Sequence, residues 1–145
     1  AVGQALRMAE ADAAHADEGW DFVRTALTGS ATDRFAAAAR FPVSGSRGPF
    51  SITLDRVEEV LRECITNRVD SVDFAWHSDV GARLPGIRGV SPDQLLSALD
   101  RVEQARTAAA GNGNPQAIAF VLLSDLAREL RVRAVVARNE GSGRG

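Results

Sequence analysis

Apolar positions along most of this chain recur at helical spacing. Val57, Val60, Leu61, Cys64 and Ile65 fall at i, i+3, i+4, i+7 and i+8. Arg56, Glu59, Arg62 and Glu63 cover most of the other side, so an amphipathic helix is predicted from Asp55 to about Asn67. Leu95, Leu99, Val102 and Ala109 stripe a second helix, running from Ser91 to about Ala110. Its start is well marked: Ser91 as cap, Pro92 in the first turn, Gln94 three residues after the cap. Asn114-Pro115 opens another helix by the same logic. Ile118, Val121, Leu122 and Leu126 line it, and Phe120 and Leu123 widen its apolar face. A helix apolar on so much of its circumference is expected at the centre of the fold.

Upstream the period persists on smaller residues. Val2, Ala5, Leu6, Ala9, Ala13 and Ala16 form a thin stripe that Gly19 is expected to end. Trp20, Val23 and Leu27 share one side of the next stretch. Ser30 or Thr32 then caps a helix from Asp33 to Arg40.

Three segments depart from that period. Ser71 to Val80 alternates, with Val72, Phe74, Trp76 and Val80 on one face and Asp73, Ala75, His77 and Asp79 on the other, the signature of a half-buried strand. Arg131 to Arg138 reads as a second strand. Residues 41–54 hold Pro42, Gly45, Gly48 and Pro49 and end in the alternating run Phe50 to Leu54, which predicts one or two weaker strands. Helices flanking a small sheet give an α+β fold. An α/β layout with parallel strands is the alternative, because the last helix feeds directly into the last strand. The length predicts one globular domain over 1–140, followed by a flexible tail at 141–145.

Composition narrows the chemistry. Arginine supplies all 17 basic side chains; there is no lysine and no tyrosine, a bias that reads as a high-GC bacterial genome. A Schiff-base lysine, a P-loop lysine and a tyrosine acid are thereby excluded. The net charge of -2 makes nucleic acid an unlikely partner. Ala117 to Ser124 is the longest uncharged apolar stretch and is too short to cross a bilayer. With one cysteine, Cys64, and no signal sequence, the expectation is a reduced cytoplasmic protein. His15, His77 and Cys64 are too scattered for a metal site, and no cofactor is expected.

Three candidate sites remain. Asp73, His77 and Asp79 share the polar face of the predicted strand and offer a general base beside carboxylates; the competing reading is an ordinary wet sheet face. Arg83 and Arg88 lie in a glycine-rich loop that enters a helix at Ser91, an arrangement suited to anions. Trp20 and Phe22 follow the alanine-rich stripe closely and offer anchors for a protein partner or a homo-oligomer. The expected function is therefore a small interaction or regulatory protein, an accessory subunit or inhibitor without catalysis of its own. A cavity-type enzyme using the Asp/His pair and a structural subunit of a larger assembly are the alternatives.

Overall fold

The computed structural model describes residues 17–43, 47–70, 79–111 and 113–131. Every regular element among them is a helix. Helix α1 covers 17–28. It is followed by α2 (Ala31–Ala38), α3 (Arg47–Asp70), α4 (Asp79–Arg83), a 3-10 turn (Ile87–Gly89), α5 (Pro92–Ala110) and α6 (Pro115–Glu129).

The α+β expectation, with its α/β alternative, is thus overturned: no strand occurs among the described residues. Residues 50–54 are helical, inside α3. Pro49 is the third residue of that helix, where a missing N–H deprives no intrahelical bond. Its carbonyl accepts from the Thr53 hydroxyl at 3.2 Å, a bond one helical turn long. Phe50 and Leu54 then extend the stripe of Val57, Leu61 and Cys64 upstream by about two turns, and all five are buried. Spacing of four, three, four and three is helical, even though the five residues 50–54 taken alone also alternate. At the end of the predicted strand 71–80, Asp79 and Val80 begin α4; residues 71–78, with Val72, Phe74 and Trp76, lie outside the described residues. Of the predicted strand 131–138 only Arg131 is described, and it is not in a strand. The residues of the first stripe, 1–16, and of the tail, 141–145, also lie outside.

Helix α3 packs on α5, α5 on α6 and α2 on α6. Val23 of α1, Leu95, Ala98 and Val102 of α5, and Ala119, Leu122, Leu123 and Leu126 of α6 fill the core beside α3. Burying each large aliphatic side chain contributes roughly 1.5–3 kcal/mol. An aromatic chain closes one side: Phe41 meets Phe22 edge-on at 6.5 Å between ring centroids and Phe50 at 5.2 Å. Gly19 does not end a helix; it lies within α1. A Cβ there would sit 2.8 Å from the Arg56 carbonyl oxygen, so the glycine permits α1 to approach the backbone of α3.

The predicted caps form. Ser30 and Asp33 make a reciprocal capping box at α2, and Ser91 and Gln94 make one at α5. Asn114 accepts from the Gln116 and Ala117 amides at α6. Gln94 does more than cap. Its Nε2 donates to the carbonyls of Glu129 at 3.0 Å and Arg131 at 2.6 Å, tying the start of α5 to the end of α6. Gln116 repeats the device more exposed, donating to the carbonyls of Ala39 at 3.1 Å and Phe41 at 3.2 Å.

Candidate interaction surface

Helix α6 carries no charged side chain from Pro115 to Ser124. Its inward face, Ala119, Leu122, Leu123 and Leu126, is buried. Its outward face is not: Phe120 is 39% exposed and Val121 57% exposed. The expectation of a central helix is corrected here, since α6 is covered on one side only. Phe120 meets Phe35 of α2 edge-on at 6.0 Å, and Phe35 is itself 66% exposed. On the other flank, Val121 and Ile118 join Ala105 and Ala108 of α5 in lining a groove of about 440 Å³, with Arg101 and Asp125 beside them. One apolar surface therefore runs from Phe35 across Phe120 and Val121 into the groove. These apolar side chains adjoin one another instead of being scattered singly over the surface.

The sequence-predicted sites fare differently. Asp73 and His77 lie outside the described residues; Asp79 is the first residue of α4. The loop expected at 81–90 is partly helical, with Arg83 ending α4 and Arg88 inside the 3-10 turn. The Arg83 guanidinium lies over the Trp20 ring, 5.1 Å from its centroid, and 3.9 Å from the Asp17 carboxylate. Ser91 uses its hydroxyl to accept from the Gln94 amide. Trp20 and Phe22 are 7% and 6% exposed and pack in the core of this chain, which leaves little of either ring for another molecule.

Cys64 is fully buried, and burial, helped by Glu63, pushes its thiol up to about 12. A thiol that holds its proton so firmly is a poor nucleophile. Among the described residues no three His, Cys, Asp or Glu side chains come together to hold a metal ion. No described helix is long and apolar enough to cross a membrane.

Phe35, Phe120 and Val121 were not singled out as surface residues by pattern. The available signal was the width of the apolar face on α6, broader than a one-sided helix needs. No family model, curated protein or solved structure matches this chain.

Proposed function

We propose that this chain is a non-catalytic interaction protein that pairs with a second copy of itself through the outward face of α6. The observation that carries the reading is the exposed Phe35, Phe120 and Val121 surface on a helix without charge over its first ten residues. A twofold contact sets a face against itself, and like charges would oppose that. On α6 itself there are none until Asp125 and Arg128, which pair with each other at 3.3 Å, and Arg101 at the groove edge is paired with Glu129 at 3.2 Å. Ala117, one turn before Val121 and lining the same groove, is small enough for a second helix to approach closely.

Sedimentation equilibrium at micromolar concentration tests this. The expected mass is above the 15.4 kDa of one chain. Val121→Asp should return the protein to that mass while keeping the helical circular-dichroism signal of the wild type. A wild-type protein that stays monomeric overturns self-pairing and leaves the face to a different protein.

A further inference from the structure

Beyond the α6 face, a second surface has different chemistry. We propose that the hollow where the ends of α1 and α6 meet α2 binds a small molecule through a phosphate group. Arg34 of α2, Arg128 of α6 and Arg131 just past it line this hollow of about 550 Å³, together with Gly29 and Ser124. Among the described residues no acidic side chain lines it. The volume is that of a small-ligand site.

Helix C-termini ordinarily attract cations, so arginines at such a place need no ligand to explain them. Here that role is largely filled already. Gln94 donates to the carbonyls of Glu129 and Arg131. The Arg131 amide donates to the Arg128 carbonyl, and Arg34 Nη1 donates to the Gly29 carbonyl at 3.0 Å. The guanidiniums of Arg128 and Arg131 are therefore surplus to capping. Arg131 has no ion pair among the described residues, and the neighbouring acid, Asp125, engages only Arg128 in a pair whose arginine is mostly exposed. Such exposed pairs are weak and exchange readily.

Arg34 supplies the second observation. Its Nε is shielded from water and has no hydrogen-bond partner. Nη1 is engaged with Gly29 and Nε–H meets no acceptor among the described residues, so a rotation of the side chain that turns Nε toward the hollow would give it an oxyanion partner in exchange for the Gly29 bond. Three guanidiniums around one hollow suit the several oxygens and double charge of a phosphate monoester better than a single carboxylate. They ring a single hollow rather than a track, on a chain of net charge -2, which favours a small molecule over a nucleic acid.

The test is an amide chemical-shift titration of the full chain with inorganic phosphate and with glycerol phosphate, at ionic strength held constant with chloride. Saturable shifts are expected at Gly29 and from Ser124 to Arg131, with chloride alone producing none. Arg34→Gln and Arg131→Gln should each weaken binding roughly tenfold or more, the loss of one charge-assisted hydrogen bond. Arg40→Gln, outside the hollow, should leave it unchanged. If Arg34→Gln unfolds through loss of the Gly29 contact, Arg131→Gln decides alone, because its exposed side chain lies beyond the end of α6. Equal binding by Arg131→Gln, equal shifts with chloride, or affinity that rises with the length of a single-stranded oligonucleotide would each overturn the proposal.

Discussion

The two seams that α5 makes with its neighbours are finished by opposite chemistry. Against α3, the edge is charged. Arg106 donates from Nη1 to Asp55 at 2.6 Å, from Nη2 to Glu58 at 3.2 Å and from Nε to Glu103 at 3.2 Å, and Arg62 also holds Glu58. Against α6, charge is confined to one end, where Arg101 meets Glu129 at 3.2 Å. The rest of that edge is the apolar groove beside Val121. A charged edge seals a seam by covering apolar atoms with arginine stems whose heads stay in water. An apolar edge remains unfinished until something covers it. The difference is the reason we propose the pairing surface on the α6 side of the molecule.

Substitutions can break each seam in turn. Leu61→Ala in α3 and Leu122→Ala in α6 should cost roughly 2–5 kcal/mol each, since both side chains are buried and leave cavities. Denaturant unfolding measures the loss, and a value under about 1 kcal/mol for either would show that its seam is not part of the core. Gln94→Ala comes next, at about 2–3 kcal/mol, because two carbonyls of the α6 end lose their shared donor in a buried place. Gln116→Ala, at the more exposed counterpart, should cost only about 0.5–1 kcal/mol. Equal losses would mean that burial does not separate the two glutamines.

The charged seam should also respond to acid. Burial pushes the Glu58 carboxyl up, but hydrogen bonds from Arg62 and Arg106 and one shared with Glu103 together hold it below its ordinary value of 4.5. A carboxyl with a lowered folded pKa stabilises above that ordinary value, and the contribution disappears as pH falls through the folded pKa. Thermal melts from pH 7 down to pH 3 should show stability falling below about pH 4.5, and Arg106→Met should flatten that fall. An unchanged acid profile in Arg106→Met would separate Glu58 from the seam. The smallest effect belongs to Val121→Asp, within about 0.5 kcal/mol when measured at a dilution where the wild type is also monomeric, as expected of an exposed helix position.

Helices α5 and α6 were legible because their apolar spacing and their caps agreed, and the body of α3 was legible from its apolar spacing alone. Ser91-Pro92 with Gln94, and Asn114-Pro115, mark starts through chemistry that acts within four residues, so no tertiary information was needed. The start of α3 was not legible in that way. Pro49 and Gly48 suggest a break, and only the buried positions of Phe50 and Leu54 against the rest of the core show that the helix begins before them. Gly19 misled for a related reason: its missing side chain answers a demand from α3, 37 positions away, rather than from its own helix. Burial of Trp20 and exposure of Val121 are likewise set by which helices become neighbours. Apolar spacing tells which residues share a face, but not whether another element of the same chain covers it.

Cys64 has a practical consequence. It is the only thiol in the chain, it sits on the core face of α3, and its proton is held to about 12. An alkylating reagent needs both access and thiolate, and the native core supplies neither. Modification at neutral pH should therefore proceed only during excursions that pull α3 away from its neighbours. With fast reagent its rate becomes a clock for those openings, and with slow reagent a measure of how rarely the open form is populated. A single native atom thus reports the breathing of the bundle without any engineered label.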